Sequence, residues 1–293
     1  MHIDEAKALA RDTELVLSKC GFIIKGWPFH DPSADESHSQ TRVLGVEWNF
    51  GTDAMTYDVS VNKPLQMTRR NVLEQVMRIY DPMGILSPSV VNGKTLLRRT
   101  WELKLGWDDP LPMEFRGEWH KFLTDMHTLQ QYDFNRCLTP KDASGQPSLV
   151  LLSDASEKAY GYAAYVRWKL TDGSYWCRLI MAKTKIAPME TLTTPRLELN
   201  AAVLSKRGRC TIEKEMRLTF DSVLHLNDSA TVLCMINKLS TRFRLYEGVR
   251  IGEIQAATDG NLSEWKWIAG KENCADWITR GLSPQQIDST SEW

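Results

Sequence analysis

The sequence predicts an α/β protein: a mixed five-stranded sheet with helices in the second half, preceded by a mostly helical α+β first half. Three observations predict it. From residue 149 the apolar pattern runs strand, strand, strand, helix, strand, helix. The segment LTPKDASGQPS (138–148) gathers Pro, Gly and Ser between periodic stretches, which marks a linker between residues 1–137 and 149–282, with a tail at 283–293. Four short acidic motifs in the second half fall alternately at the ends of apolar runs and at the starts of helices.

Residues 2–20 space their apolar positions as an amphipathic helix, and Gly21 follows as a stop. Asp31 to Thr41 is polar and reads as a loop. RVLGVEWNF and TYDVSV read as two strands joined by a turn at Gly51, Thr52 and Asp53. A helix from Thr68 to about Ile79 closes at the turn DPMG. Two more helices run from Val90 to Leu105 and from Met113 to Gln131. In the second half VLLSDAS, AYGYAAYVRW and SYWCRLIMAKTK form three antiparallel strands, the last two joined at Thr171-Asp-Gly. A long helix spans Pro195 to Met216, with proline where the first turn tolerates it. SVLHLN is a strand, DSATVLCMINKL and EGVRIGEIQAA are helices, EWKWIAG is the last strand, and residues 274–280 form a short final helix.

The formal charge of −1 exerts no overall pull toward nucleic acid or membrane. Acids outnumber bases up to residue 148, and the balance reverses in 149–282, a weak pointer to a polyanion partner there. The six cysteines are scattered without a CxxC pair, which predicts a reducing, intracellular setting rather than disulfides or zinc. No apolar run approaches membrane-spanning length, and the acidic opening MHIDEAKALA lacks the character of a signal peptide.

Asp154 ends the run SLVLLSDAS, Glu198 opens PRLELNAAV, Asp228 ends VLHLN, and Asp276 lies in ENCADWITRG. Alternating strands and helices can bring these four acids to one point above the sheet. Ionised carboxylates about 4 Å apart repel by roughly 4 kcal/mol per pair at an effective dielectric near 20. Such a cluster calls for divalent cations, and oxygen-only ligands select Mg²⁺ or Mn²⁺, the ions of phosphodiester chemistry. The competing reading makes Asp228 and Asp276 helix caps and Glu198 a first-turn glutamate favoured by the helix dipole.

SDASEKAYGYAAYVRW, AKTKIAPMETLTTPRLELNAAVL, NDSATVL, VRIGEIQ and KENCADWITRGLS resemble, in order, the ribonuclease H domain of BEL/Pao-type retrotransposon polyproteins. GFIIKGW, VLGVEWN, MTRRNVLEQVMRIYDPMGILSPSVVNGKTLLRRTW and GWDDPLP are similar to the segment upstream of it, where the reverse transcriptase palm ends. The resemblance implies a ribonuclease H-like mixed five-stranded sheet in 149–282, and a palm-end, thumb and connection remnant in 1–137. It implies two Mg²⁺ ions held by Asp154, Glu198, Asp228 and Asp276, with Asp154 bridging them, and hydrolysis of RNA in RNA–DNA hybrids. Ser156, Ser229 and Asn273 are then candidate contacts to the hybrid, or simply caps and turn residues. Lys183, Lys185 and Arg196 either hold phosphates or are solvated surface. The other domains of the polyprotein are implied partners; a membrane and a small-molecule cofactor are not.

The sequence also departs from a full retroelement enzyme. No Tyr-x-Asp-Asp motif is present, so polymerase activity is not expected from this chain alone. The loop from Ala269 to Cys274 has no histidine, which several nucleases of the resembled fold place there to help product leave. Gly208 inside the long helix costs about 1 kcal/mol relative to alanine. It reads as drift, as does Val249. A non-catalytic nucleic-acid-binding remnant is therefore the alternative. The resembled region is also labelled a Pao retrotransposon peptidase. The only near matches to an aspartic-peptidase turn, Thr171-Asp-Gly and Thr258-Asp-Gly, put glycine directly after the acid and read as ordinary turns. Of the tryptophans Trp101, Trp107, Trp119, Trp168, Trp176, Trp265 and Trp267, most fall on apolar faces, and they read as core rather than base-stacking groups. Arg69, Arg70, Lys94, Arg98 and Arg99 make basic helix faces that either follow a nucleic-acid backbone or are solvated.

Overall fold

The structure, a computed structural model, describes residues 3–24, 26–27, 40–43, 45–59, 66–190, 192–257, 262–287 and 293. Among them no helix is long and apolar enough to cross a membrane, and all six cysteines are free thiols.

Helix α1 (Ile3–Lys19) stops where its glycine predicts. Gly21 adopts φ +79°, and the amides of Gly21 and Phe22 return to the carbonyls of Ser18 and Leu17. The loop expected over 31–41 lies outside the described residues up to 39, and its last two residues open a strand. RVLGVEWNF is two strands rather than one, because Gly45 at φ +85° reverses the chain inside it. Strands β1 (Gln40–Val43), β2 (Val46–Asn49), β3 (Ala54–Tyr57) and β4 (Asp133–Asn135) form an antiparallel sheet in that order.

Helices α2 (Arg69–Arg78), α3 (Ser87–Glu102) and α4 (Met113–Thr128) pack on this sheet through Tyr57, Val76, Leu86, Trp119, Leu123 and Met126. Helix α3 begins three residues before the apolar period suggests, with Pro88 in its first turn. The basic residues of these helices are engaged within the protein. Arg69 is buried, donates to Thr100 O (2.6 Å) and lies 4.8 Å over the Trp101 ring. Arg70 pairs with Asp108, Arg99 with Glu118, and Arg98 donates to Pro188 O.

The second half forms the mixed five-stranded sheet, in the order β7-β6-β5-β8-β9. Its strands are β5 (Ala143–Ala155), β6 (Ala159–Leu170), β7 (Tyr175–Ile186), β8 (Ser222–Asn227) and β9 (Trp265–Trp267). The first three are antiparallel, while β8 and β9 add in parallel. Strand β5 starts inside the Pro/Gly/Ser segment, with its register broken between Ser144 and Ser148. Its alternation feeds both faces. Leu149 and Leu151 pack under α5 (Thr194–Glu215), while Leu152 packs under α8 (Asp276–Arg280). Helices α6 (Ala230–Ile236) and α7 (Leu245–Ala257) join α5 in a further cluster around Leu199, Ile236 and Ile254. Of the tryptophans read as core, Trp119, Trp168 and Trp265 are buried, whereas Trp101, Trp107 and Trp267 are exposed.

The two halves share a hydrogen-bonded seam. Asp81 accepts the Leu86 amide on its carboxylate (2.9 Å), closing the DPMG turn. Gly84, at φ +73°, lies so close to β7 that a Cβ there would stand 1.9 Å from Ala182 O. The Ala182 amide donates to Met83 O (2.8 Å), and the Leu282 amide donates to Pro88 O (2.9 Å). The segment read as a tail joins in: Ile287 is buried and the Trp293 indole donates to Ile85 O (2.8 Å).

Gly208 is not a sign of drift. A Cβ on it would stand 2.2 Å from Cζ of Tyr162, whose ring is buried between α5 and β6. Helix propensity alone says Gly208→Ala should stabilise by about 1 kcal/mol, whereas overpacking costs about 1–3 kcal/mol. Thermal unfolding is expected to show Gly208→Ala less stable than the parent; a gain in stability would contradict this packing account.

Candidate active site

Each acid is placed by its own element. Asp154 is near the end of β5 on the face that α8 covers, and is only 6% exposed. Thr279 Oγ1 donates to its Oδ2 at 2.5 Å. Burial pushes the Asp154 carboxyl up to about 6; the Thr279 bond opposes this, and the negative charges of Asp228 and Asp276 add to it. Asp228 directly follows β8. It is not the helix cap that its position suggested, because Ser229 caps α6 by accepting the Val232 amide. The Trp267 indole donates to Asp228 O (3.0 Å), and a Cβ on Gly270 would stand 3.1 Å from Asp228 Oδ2. Asp276 is the first residue of α8, and its carboxylate is paired with Arg280 one turn later. Glu198, on α5, comes from the other face of the sheet and accepts from Ser229 Oγ at 2.7 Å.

Beneath the acids lies a buried polar network. Strands β5 and β8 pair in parallel with Ser153 opposite Asn227, the residues just before Asp154 and Asp228. The Asn227 side-chain amide donates to Ser153 Oγ (2.9 Å) and Ser153 O (3.2 Å). Asn273 donates to the same carbonyl (3.1 Å) and accepts the Ala275 amide just before Asp276. Ser153, Asn227 and Asn273 are all buried. The pattern of single residues carries no signal for this network, since its bonds join positions far apart in the chain.

Residues 68–229, more than half of the chain, match the family model described as the Pao retrotransposon-like RNaseH-like domain. The chain belongs to this family. The match takes in Asp154, Glu198 and Asp228 and ends before Asp276. No curated protein matches the chain. Among solved structures it is similar to the N-terminal RNase H domain of Rv2228c from Mycobacterium tuberculosis, at 12% identity over 46% of this chain and 92% of that one, with a TM-score of 0.30. It is similar to RNase H1 from Halobacterium salinarum at 11% identity, over 44% and 89% of the two chains, with a TM-score of 0.27. The prototype foamy virus protease–reverse transcriptase matches at 11% identity over 78% of this chain and 29% of that one, with a TM-score of 0.27.

In this Pao retrotransposon-like domain the other candidates are placed unevenly. Ser229 bonds Glu198 directly while capping α6. Ser156 accepts the amides of Lys158 and Ala159 and donates to Thr279 O, so it closes the turn after Asp154. Asn273 spends its amide on Ser153. Arg196 pairs with Glu247 (2.7 Å) and lies over the Tyr246 ring. Lys183 and Lys185 are exposed on β7 and line different crevices, Lys183 beside Asp81 and Lys94, Lys185 beside Tyr160 and Arg207. Asp172 accepts from Ser174 in the β6–β7 hairpin, an ordinary turn, and Thr258-Asp-Gly lies outside the described residues. Thr279 and Arg280 were not singled out from sequence, and Trp267 was read there as core, whereas it is exposed. Thr279 and Arg280 stand within the quoted motif KENCADWITRGLS, which was their only available signal.

An all-oxygen, acidic donor set suits a hard divalent cation in its chemistry. Its spacing does not yet suit one: among the described residues no group of three or more His, Cys, Asp or Glu side chains could hold a metal ion. Thr279, Ser229 and Arg280 instead hold Asp154, Glu198 and Asp276 individually.

The raised Asp154 carboxyl has a stability consequence. Its folded value, about 6, lies above its ordinary value of 3.8, so its contribution is full below about pH 4 and is lost as pH rises through about 6. Without metal, Asp154→Asn should exceed the parent in stability above pH 6 by about 1–3 kcal/mol and converge with it in acid. Thermal unfolding against pH in EDTA checks this, and a destabilised variant at pH 8 would contradict it.

Proposed function

We propose that this Pao retrotransposon-like domain is a ribonuclease H-type nuclease that hydrolyses the RNA strand of RNA–DNA hybrids with Mg²⁺ or Mn²⁺. The observation that carries the reading is a desolvated carboxylate, Asp154, within the fields of Asp228 and Asp276. Such a placement costs stability, and it fits a function that uses concentrated negative charge. Asp154, Glu198, Asp228 and Asp276 would hold the ions. Bound divalent ions supply charge neutralisation at the scissile phosphate and lower the pKa of the attacking water.

The chain's own groups do the rest. Thr279 fixes the Asp154 carboxylate, and Ser229 fixes that of Glu198. The exposed Trp267 ring, pinned to Asp228 O, offers a stacking face next to the acids. Hydroxyls at Ser156 and Ser229 are the groups nearest in chemistry to what reads a ribose 2′-hydroxyl. Residues 1–137 are proposed as the palm-end, thumb and connection remnant of a retroelement polyprotein, whose other domains would be its partners.

A second reading, a nucleic-acid binder that does not cleave, rests on the present arrangement, in which protein donors already hold three of the four carboxylates. A labelled RNA–DNA hybrid incubated with the full chain separates the two. The nuclease reading expects cleavage with Mg²⁺, none with EDTA, and a loss in Asp154→Asn greater than the roughly 100-fold typical of losing an outer-shell partner. Equal cleavage by parent and variant, or binding without cleavage in Mg²⁺ and Mn²⁺, would remove it.

A further inference from the structure

A crevice of about 490 Å³ opens between α5, α7 and the segment that leaves β7. It starts at the same end of the sheet as the acids. The register puts Tyr160 opposite Ala155, the residue after Asp154, and Lys185 opposite Tyr160. Tyr160 and Leu192 pack together as an apolar wall. Lys185, Arg207 and Arg250 line the crevice against Glu190 and Glu253, an excess of one positive charge. Arg207 is spent on Glu253, which it grips through Nε and Nη2 at 2.7 and 2.8 Å.

Arg250 is placed differently. Asn200, buried in the interior of α5, accepts from Arg250 Nε on its Oδ1 (2.6 Å) and donates to the Tyr246 hydroxyl (3.0 Å). Arg250 Nη1 donates to Tyr246 O (2.9 Å), and the guanidinium carbon lies 3.5 Å from the centre of the Tyr246 ring. These partners are all neutral, and among the described residues Arg250 forms no ion pair. Arg196, over the same ring, is by contrast neutralised by Glu247. The Tyr246–Asn200 bond alone would clamp α7 to α5. The guanidinium adds a fixed fork, whose Nη2 meets no acceptor among the described residues.

We propose that this crevice holds a backbone phosphate of a nucleic-acid strand, with Arg250 as its oriented anchor and Lys185 as a second charge on the rim. The inference rests on the nucleic-acid substrate of the nuclease reading and adds to it a contact away from the acids. A guanidinium whose plane is set beforehand loses little freedom on pairing with two phosphate oxygens, and the paired fork is stronger than a single bond. A compact anion would leave the apolar wall uncovered, whereas a strand continues past it. The exposed rim, at Lys185 and at Val249 (58% exposed), leaves the crevice open to such a chain.

Hybrid binding in EDTA tests this apart from cleavage. The affinity of the full chain for a labelled RNA–DNA hybrid is measured across a salt series. Arg250→Gln should bind about tenfold more weakly than the parent at low salt, as the loss of one charge-assisted contact implies. Its salt slope should be shallower by about one. Val249→Glu sets an acid at an exposed position on the rim, where folding is not at stake, and should weaken binding at least about threefold. Parent-like affinity in either variant, or an unchanged slope in Arg250→Gln, overturns the crevice and leaves the nuclease reading standing. No hybrid binding by the parent at any salt overturns both.

Discussion

The site depends on one buried constraint, the hydrogen bonds that converge on Ser153. Its carbonyl and hydroxyl receive the Asn227 amide, and its carbonyl also receives the Asn273 amide. These bonds tie β5, β8 and the approach to α8 together directly below Asp154, Asp228 and Asp276. Buried polar groups of this kind are costly when unpaired, at about 1–3 kcal/mol each, so the paired arrangement excludes its neighbours in register. A slip of β5 by one residue would leave these groups unpaired. It would also turn Asp154 from the α8 face to the α5 face. The network thus converts a sheet register into the position of an acid.

How much of this was legible in the sequence follows from the range of the interactions. The five strands of the second sheet, their order along the chain and the long α5 were legible, because period-two and helical alternation are local. Asp154 was legible as the end of an apolar run. Its partners were not: Thr279 lies 125 residues away, and no local pattern marks a threonine as a carboxylate's donor. Gly208 misled for the same reason. Its cost to the helix is visible locally, whereas the Tyr162 ring that demands it comes from strand β6, distant in sequence. The start of β5 inside 138–148 was hidden because Pro, Gly and Ser signal a linker, and here they occupy a bulged strand.

The DPMGILSP segment owes its distinctiveness to geometry that few sequences can satisfy at once. Asp81 closes the turn, Gly84 allows backbone contact with β7, and Pro88 presents a carbonyl to Leu282. Strand β7 is an edge of the five-stranded sheet, and an open edge is a site for unwanted pairing. Met83 takes the Ala182 amide and covers part of it. The first half is therefore a structural component of the nuclease-like half, and the two are best studied as one chain.

The same seam reaches the acids. Helix α8 carries Asp276, Thr279 and Arg280, yet its end is held by Asn92 and Ser89 of α3 rather than by its own sheet alone. Five residues make too short a helix to be stable without tertiary packing, so its geometry is imposed from outside. A shift of α3 would move the donor on Asp154 and the cation on Asp276 together, changing both the desolvation of one carboxylate and the neutralisation of another. The electrostatics of the cluster are in that sense a property of the whole chain. Asp154 and Asp228 stand at strand ends, but Thr279 and Arg280, which hold Asp154 and Asp276, lie on a helix followed by a segment bonded to α3 of the other half.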